Sequence, residues 1–474
     1  MTADKIATVD GLFGGALRHV PELDPGFLPA SIWLREFEGL IRQQGGRKVH
    51  IDLHRPNGEV SHHSTKLLPA SPEWESLNFH QLERTIKFLL WSHGGSRVGL
   101  SGASDLCAPL SKCFSSDGPR AFDAEFFRRV FGEELRVEDL GESAGGASGE
   151  FEGGASKPGD ASGCRIGFDL GGSDRKCAAV IDGEVVFSEE VVWDPYFQSD
   201  PSYHFEGIMD SLRRAAEHLP RVDAIGGSAA GVYVDNEVKV ASLFRGVPDE
   251  LFESRVKHIF RDIAREWGDV PFKVVNDGDV TALAGSIALQ DGAVLGLAMG
   301  TSAAAGYVDS AGRITNRLSE LAFVPVDYRE GGPVDEWSGD RGCAVQYFSQ
   351  QAVSRLIPAS GLEIDEHLDK PDKLIEVQHF MEKGDERAAA IYRSIGTYLG
   401  YAIPQFARFY DLRHLLLLGR VLSGDGGGMI IEKAETVLHD EFPELHGAVK
   451  IGTPDEKTKR HGQAIAAASL PELP

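Results

Sequence analysis

The sequence predicts an α/β protein of two related lobes with a cleft between them, preceded by a small α+β domain. Three observations predict this class. From about residue 164 onward, short apolar strands alternate with amphipathic helices, which is typical of α/β layers. A hairpin-like start followed by βαβ units occurs twice, from Ile166 and again from Ala293. A stretch rich in Gly and Ser separates this part from the first 140 residues.

Composition sets the predicted domain boundaries. The segment "GESAGGASGEFEGGASKPGDASG", residues 141–163, is about one-third Gly and could not build a core, so we predict a flexible linker. Residues 1–140 form the predicted α+β domain, which could cover the cleft, mediate formation of a homodimer or bind a second ligand. We place the first lobe at residues 164–290 and the second at 291–474, with the last helix returning to the first lobe.

The N-terminal domain contains a predicted hairpin, "KVHIDLHRPNGEVSHHSTKLL", which alternates around a Pro-Asn-Gly turn. The segments "NFHQLERTIKFLLW" and "AFDAEFFRRVFGEEL" show helical spacing of apolar residues. On the hairpin, His50, Asp52 and His54 share one strand face and could bind a transition metal. The alternation typical of half-exposed strands favours an ordinary solvated face instead.

Composition also excludes several classes of function. The chain has 474 residues, of which 25% are charged and 42% apolar, as in soluble globular proteins. Its formal net charge of −24 disfavours binding to nucleic acid or to an anionic membrane, because both need clustered Lys and Arg. No apolar run is long enough to span a membrane, and the first residues lack the basic-then-apolar layout expected of a secretory signal. Five cysteines without a CxxC pair favour reduced thiols, so we expect a cytoplasmic protein.

The first candidate site follows the first strand of the first lobe. In "GFDLGGSDRK" an apolar strand delivers Asp169, and the chain then turns at Gly171, Gly172 and Ser173. Glycines let backbone N–H groups approach phosphate oxygens, and a Ser hydroxyl adds a donor. Asp169 could hold Mg²⁺ through water, because this cation keeps several of its waters. Many ordinary hairpin turns share this pattern, so it is weak evidence by itself.

Two further Gly-rich loops lie in the second lobe. In "LAMGTSAAAGYVD", Gly300, Thr301 and Ser302 follow an apolar strand, where their donors could surround a phosphate. In "HLLLLGRVLSGDGGG", Gly419 and Arg420 follow a buried strand, where a glycine could admit an adenine ring or a ribose. An ordinary strand-to-helix turn explains either loop alone equally well.

The segment "KVVNDGDVTALAG" carries two candidate carboxylates, Asp277 and Asp279. An apolar strand runs into Asn276 and Asp277, and a helix of small residues then begins. Asp279 stands at the start of "DVTALAGSIAL", so we predict that it caps this helix. Asp277 either belongs to an ordinary turn of the chain or is the catalytic carboxylate of an active site.

Taken together and in this order, six motifs resemble those of the ROK family of sugar kinases and sugar-responsive regulators, within the actin/hexokinase-type ATPases. The motifs are "DLGGS", "AIGGSAAGVYVDNEVKVASLFRG", "NDGDVTALAG", "GTSAAAG", "LLLLGRVLSG" and "HGQAIAAA". The resemblance covers about residues 164–470 and does not extend to residues 1–160. It implies a two-lobed actin/hexokinase-like (ribonuclease-H-like) kinase fold.

The resemblance also implies an activity, namely ATP-dependent phosphoryl transfer to a sugar hydroxyl with ATP and Mg²⁺. Asp277 matches the family's general base, which accepts the hydroxyl proton. Asn276 and Glu320 match residues that hold sugar hydroxyls, and Gly231 lies in the segment that resembles the sugar-approach loop. The three Gly-rich loops match the family's two phosphate motifs and its adenosine motif.

Two positions and one cysteine cluster depart from the family's pattern. Phe323 replaces the histidine of the sugar clamp, and Val345 replaces a further glutamate that contacts the sugar. Only Cys343 remains of the zinc-binding cysteine cluster, so we expect no structural zinc. Each lost sugar partner would cost roughly 1–3 kcal/mol, which disfavours an ordinary hexose. Residues 335–341, "DEWSGDR", could supply other partners, or they could form a solvated acidic loop.

Two functions therefore remain open. The leading prediction is a cytoplasmic kinase of a sugar or sugar derivative. The alternative is a non-catalytic nucleotide- or sugar-binding sensor or regulator on the same fold, which Phe323 and Val345 favour. The acidic balance disfavours a DNA-binding regulator, and the lack of long insertions disfavours a chaperone-type or cytoskeletal ATPase.

Overall fold

The computed structural model describes residue 11 and residues 17–141, 162–454 and 462–473. The chain divides into two compact units. Unit 1 comprises Met1–Gly153, Leu297–Ala305 and Arg317–Gly452, and unit 2 comprises Gly154–Gly296, Gly306–Asn316 and Thr453–Pro474. The described N-terminal residues therefore share one compact unit with residues 317–452. The predicted linker at 141–163 lies almost wholly outside the described residues.

The N-terminal part of unit 1 is mixed α and β. Its elements are α1 (Ala30–Gln44), β1 (Arg47–His54), β2 (Val60–Leu67), α2 (Glu75–His93), β3 (Arg97–Ser101), α3 (Ser104–Cys113), α4 (Ala121–Phe131) and β4 (Arg136–Asp139). The strands form one sheet of order β2-β1-β3-β4, in which β1 is antiparallel to both neighbours and β3 is parallel to β4.

The predicted hairpin is formed by β1 and β2, and its register pairs Asp52 with His62. The Nδ1 atom of His62 lies 2.8 Å from Oδ1 of Asp52, whereas His50 contacts the hydroxyl of Ser64. Among the residues that the structure describes, no group of three or more His, Cys, Asp or Glu side chains could hold a metal ion. His62 and His50 thus form separate polar pairs, whereas Nε2 of His54 is buried without a hydrogen-bond partner and His63 stacks on Phe409.

Helix α2 carries charged side chains into the interior of unit 1. Glu83, Arg84 and Lys87 are each less than 9% exposed, and buried charges need partners. The Nε atoms of Arg84 and Arg120 both donate to the Glu83 carboxylate over 2.6 Å. Lys87 Nζ lies 3.0 Å from an oxygen of Asp340. The helix is therefore tied by ion pairs to residues far from it in sequence.

Unit 2 contains the next eleven α-helices and β-strands of the described residues. They are β5 (Cys164–Leu170), β6 (Asp174–Ile181), β7 (Glu184–Val192), α5 (Ser202–Ala216), β8 (Ala224–Ala229), β9 (Val232–Val234), β10 (Glu237–Val240), α6 (Asp249–Leu251), α7 (Ile259–Glu266), β11 (Phe272–Asn276) and α8 (Asp277–Leu289). Five strands form a sheet of order β11-β8-β5-β6-β7, and β9 pairs with β10. Strands β5 and β8 are buried along their whole length, which explains their apolar and small residues.

The remaining elements are β12 (Val294–Met299), β13 (Ala303–Val308), α9 (Gln350–Ser360), α10 (Lys370–Glu382), α11 (Glu386–Phe406), β14 (His414–Leu418), α12 (Asp425–Glu441), β15 (Lys450–Gly452) and α13 (Gln463–Ala468). Four of the strands form a sheet of order β13-β12-β14-β15. None of the helices in the described ranges is long and apolar enough to cross a membrane.

The short helix α13 packs on the buried strands of unit 2. A side chain at Gly167 of β5 would collide with the backbone oxygen of Ala464, and one at Gly226 of β8 with that of Ala467. Glycine at both positions lets the helix backbone lie directly on the strands. The last described helix thus completes the unit that begins with β5.

Candidate active site

Three parallel strands of unit 2 end side by side. Ala229, the last residue of β8, is paired with Leu170 of β5 on one side and with Asn276 of β11 on the other. Strands lie about 4.8 Å apart, so the ends of β5 and β11 are separated by roughly 10 Å. In open α/β sheets, ligands bind at the carboxyl ends of the strands. The residues that follow these three ends therefore form the candidate site.

Asp277 follows β11 and is the first residue of α8. Burial and the negative charge of nearby Asp169 raise the pKa of its carboxyl to about 6. The N–H of Gly278 donates to its Oδ1 over 3.0 Å and only partly opposes this shift. A carboxyl whose pKa lies near neutrality can accept a proton during a reaction and release it again. The environment of Asp277 thus suits a general base.

Asp169 is the second buried carboxylate at this edge, with 8% of its surface exposed. Burial raises its pKa, although the hydroxyl of Ser228, which donates to Oδ1 over 2.6 Å, and the charge of Lys176 oppose the shift. Two nearby carboxylates with raised pKa values are oxygen ligands of the type that Mg²⁺ prefers. A divalent cation would favour the ionised form of both groups. The residues present therefore fit a magnesium ion held by Asp169.

The structure corrects the predicted helix cap. Helix α8 begins at Asp277, and Asn276 caps it, because its Oδ1 accepts from the N–H of Gly278 over 2.7 Å. Asp279 lies inside the helix and is 7% exposed. Its Oδ1 accepts from the backbone N–H of Tyr307 over 3.1 Å. The prediction that Asp279 is the cap was wrong, because an Asn three residues earlier already satisfies the first turn.

Asn276 also connects two of the predicted substrate-binding residues, because its Nδ2 donates to the backbone oxygen of Gly231 over 2.7 Å. Gly231 has a φ of 139°, and a side chain there would collide with Val240 and Ala241. A glycine is thus required where the chain leaves β8 for the β9–β10 hairpin. The structure places the two residues in contact, and their roles toward a sugar remain predictions.

Tyr233, on β9, is a site residue that the sequence interpretation missed. Its hydroxyl donates to the backbone oxygen of Ala230 over 3.0 Å. Burial and the charge of Asp277 raise the pKa of Tyr233 well above its usual value. The hydroxyl therefore stays protonated near the candidate base. The available signal was an aromatic residue two positions after Gly231 in "GVYVD".

The predicted first phosphate loop is the turn between β5 and β6. The N–H of Gly171 donates to the oxygen of Asp174 over 2.9 Å, and Ser173 Oγ donates to the Asp174 carboxylate over 2.9 Å. Neither Gly171 nor Gly172 has a positive φ. At Gly172, the ring and hydroxyl of Tyr196 occupy the place of a side chain. Close approach of another residue, rather than backbone conformation, thus requires the glycine.

The other two predicted loops lie close together in unit 1. Gly419 has a φ of 98°, and a side chain there would collide with the backbone of Met299. Met299 directly precedes the predicted phosphate residues Gly300, Thr301 and Ser302. The N–H of Gly300 donates to the oxygen of Ser302 over 3.0 Å. Arg420 is exposed beside Gly419. Contacts with ATP remain predictions for all five residues of the two loops.

The predicted sugar-clamp segment of unit 1 packs against the N-terminal residues. The N–H of Glu320 donates to the backbone oxygen of Trp91 over 2.9 Å. The ring of Phe323 lies 4.4 Å from that of Trp91 and 5.3 Å from that of Phe122, measured between centroids. Val345 is 2% exposed. Of the two apolar residues that depart from the family's pattern, Val345 is therefore buried, and Phe323 is half-buried and packs on two aromatic rings.

Residues 335–341 do not form the solvated acidic loop that the sequence allows. Asp335 and Asp340 are 2% and 8% exposed, whereas Trp337 is 74% exposed. The Asp340 carboxylate contacts Arg84, Arg120 and Lys87 of the N-terminal part. The segment is thus anchored by its two buried aspartates, while Glu336, Trp337 and Arg341 are exposed to solvent.

No protein-family model and no curated protein matches this sequence. Its structure, however, has the fold of ROK-family sugar kinases and regulators. A ROK hexokinase from Thermus thermophilus superposes with a TM-score of 0.51 at 19% identity, covering 65% of this chain and 98% of that one. A ROK transcriptional regulator, a homologue of the E. coli MLC protein, gives 0.50 and 19%, covering 65% and 78%. The predicted two-lobed α/β kinase fold is confirmed.

Proposed function

We propose that this chain is a cytoplasmic ATP-dependent kinase that phosphorylates a hydroxyl group of a sugar or sugar derivative. The observation that carries the proposal is Asp277, which follows a parallel strand end, lies beside Asp169 and has a pKa of about 6. Its neighbours at the same edge are Asn276, Gly231 and the Gly171–Ser173 loop. The fold is one that sugar kinases use.

In the proposed reaction, Asp277 accepts the proton of the acceptor hydroxyl as that oxygen forms a bond to the γ-phosphorus of ATP. The bond from the γ-phosphorus to the bridging oxygen breaks, and ADP leaves. A magnesium ion held by Asp169 would neutralise charge on the phosphates. The backbone N–H groups of Gly172 and Ser173 would bind the phosphates, since that of Gly171 donates to Asp174. Asn276 would orient the acceptor through a neighbouring hydroxyl.

The test measures ATP-dependent phosphorylation across a panel of neutral, amino and acidic sugars. Asp277→Asn preserves the shape of the side chain but removes the base, so turnover of the best acceptor should be lost. Asp279→Asn is the matched control, because it makes the same change in the same helix at a carboxylate outside the site. Equal turnover by native protein and Asp277→Asn would refute the assignment of the base.

A non-catalytic sensor is the second candidate. The observation that favours it is that Phe323 and Val345 are packed among apolar residues and offer no partner to a sugar hydroxyl. A ROK transcriptional regulator also shares the fold. Calorimetric binding of ATP or of a sugar, with no phosphorylated product from any member of the panel, would establish the sensor and exclude the kinase.

A further inference from the structure

The segment that follows β7 is fixed on the predicted phosphate loop of unit 2. The backbone N–H of Trp193 donates to the oxygen of Ser173 over 3.1 Å, and its indole Nε1–H donates to the oxygen of Gly171 over 2.8 Å. The Trp193 residue is 7% exposed. The segment and the loop are therefore held together at both ends of the turn.

Tyr196 is the residue of this segment that lies closest to Gly172. A side chain at Gly172 would collide with the Tyr196 hydroxyl and with two of its ring carbons. The ring of Tyr196 therefore lies directly against the loop. The residues that pack on the other face of this ring are consequently close to any ligand of the loop.

Arg245 covers the ring of Tyr196. Its guanidinium carbon lies 4.0 Å from the centroid of the Tyr196 ring and 5.3 Å from that of Phe197. At the next residue, Gly246, a side chain would collide with the backbone oxygens of Tyr196 and Gln198, so the two segments pack closely. A guanidinium stacked on an aromatic ring is held in place, while its N–H donors stay available in the plane.

The charge of Arg245 is not neutralised within the described part of the chain. Its side chain is exposed, and no carboxylate of the described residues forms an ion pair with it. By contrast, Arg175, Arg214 and Arg261 of the same unit are each paired with a carboxylate. An anion that approaches this edge meets Asp169 and Asp277, which repel it when ionised. A fixed cation beside the loop would offset that repulsion.

We infer that Arg245, held against Tyr196, binds a phosphoryl or carboxylate group that is brought to the Gly171–Ser173 loop. The inference rests on the proposed function, because it deepens the description of the same site. The anion is either a phosphate of the nucleotide or an acidic substituent of the acceptor. Both present oxygen pairs that a planar guanidinium binds through two parallel hydrogen bonds. Tyr196 acts through Arg245 and is therefore a positioning residue.

The first test uses inorganic phosphate and ATP as probes in calorimetric titrations of the full chain at two salt concentrations. Arg245→Gln should weaken binding of at least one probe by about tenfold, the effect of losing a charge-assisted hydrogen bond. Arg245→Lys keeps the charge but loses the planar stack, so it should recover only part of the affinity. Arg213→Gln is the control for net charge, because Arg213 is an exposed arginine that pairs with Glu206 on α5.

Tyr196 is tested by two substitutions. Tyr196→Phe keeps the ring and should keep the affinity for the probe, whereas Tyr196→Leu removes the ring and should weaken binding several-fold, less than Arg245→Gln. Circular dichroism of each variant verifies that the fold is retained. Native affinity for both probes in Arg245→Gln, together with unchanged kinetics for every acceptor, would overturn the inference, and so would equal effects of the two Tyr196 variants.

A second measurement identifies the source of the anion. A rise in the KM for ATP with all acceptors in Arg245→Gln assigns the group to the nucleotide. A fall in kcat/KM confined to acidic acceptors assigns it to the acceptor. Either result supports the inference, and unchanged kinetics together with unchanged binding contradicts it. Binding of phosphate through Arg245 without transfer to any acceptor would refute the kinase proposal and leave the inference standing.

Discussion

Two buried carboxylates, Asp277 in unit 2 and Asp340 in unit 1, have opposite electrostatic surroundings. The pKa of Asp277 is raised to about 6, because burial and the charge of Asp169 both disfavour its ionised form. Burial acts in the same direction on Asp340, yet its pKa is lowered, because the charges of Arg84 and Lys87 outweigh that effect. Burial alone therefore does not decide the direction of a shift; the charges of the neighbours do.

The comparison distinguishes Asp277, a carboxylate suited to proton transfer, from Asp340, a carboxylate suited to holding segments of the fold together. An ionised acid without a cation destabilises the fold, so such groups are typical of functional sites. An acid surrounded by cations stabilises the packing of distant segments and has little tendency to accept a proton. Substitutions at the two positions should accordingly have different consequences for activity and for stability.

The largest expected effect is on turnover. Asp277→Asn should lower kcat for the best acceptor by about 10²–10⁴-fold, the usual contribution of a general base. The free energy of unfolding at pH 8 should not fall, because the substitution removes a buried negative charge. Steady-state kinetics and chemical denaturation of the same preparation check both statements. Loss of activity accompanied by loss of stability would contradict the assignment.

The second effect is on stability. Asp340→Ala leaves Arg84, Lys87 and Arg120 with fewer partners in a buried network, which should lower the free energy of unfolding by about 3–5 kcal/mol. Glu336→Gln in the same segment is the control, because that side chain is 65% exposed and pairs with Lys370 at the surface. The control should change stability by less than about 1 kcal/mol. Similar losses in both variants would refute the structural role of Asp340.

The third prediction concerns pH. Because the folded-state pKa of Asp277 is about 6 and its ordinary value is 3.8, the folded protein binds this proton more tightly than the unfolded chain. Stability should therefore fall as pH rises from about 4 to about 6, by at most about 3 kcal/mol. Asp277→Asn should remove this decline, and kcat/KM of the native protein should rise with an apparent pKa near 6.

Asp340 should show the opposite dependence. Its folded-state pKa is lowered, so its contribution to stability is present above about pH 4 and is lost as pH falls through the folded value. The destabilisation caused by Asp340→Asn should therefore be largest at neutral pH and shrink in acid. Denaturation curves of Asp277→Asn and Asp340→Asn between pH 3 and 8 test this difference. If the change in the free energy of unfolding had the same pH dependence in both variants, the prediction would be contradicted.

The sequence predicted that the candidate base and the first loop each follow an apolar strand, and the structure brings the ends of these strands to one edge of a sheet. Their roles in catalysis stay predictions. It did not reveal the partners of Asp340, which lies 256 residues from Arg84 along the chain. The local sequence around residues 335–341 is equally compatible with a solvated loop, because neighbouring residues do not indicate which carboxylates form ion pairs with distant cations. The helix cap was misplaced for a local reason. Asn276, Asp277 and Asp279 lie within four positions, and each is of a residue type that can cap a helix.

The smallest effect is expected at Phe323, where the sequence departs from the family's histidine. Phe323→Leu keeps an apolar side chain but loses the ring contacts with Trp91 and Phe122. The free energy of unfolding should fall by about 1–3 kcal/mol, the sum of two aromatic pair contributions. Trp337→Leu is the control, because that residue is 74% exposed and should change stability little. If the two variants were equally stable, packing on the N-terminal residues would not explain why residue 323 is a phenylalanine. A contact of Phe323 with the substrate would then be the explanation to test.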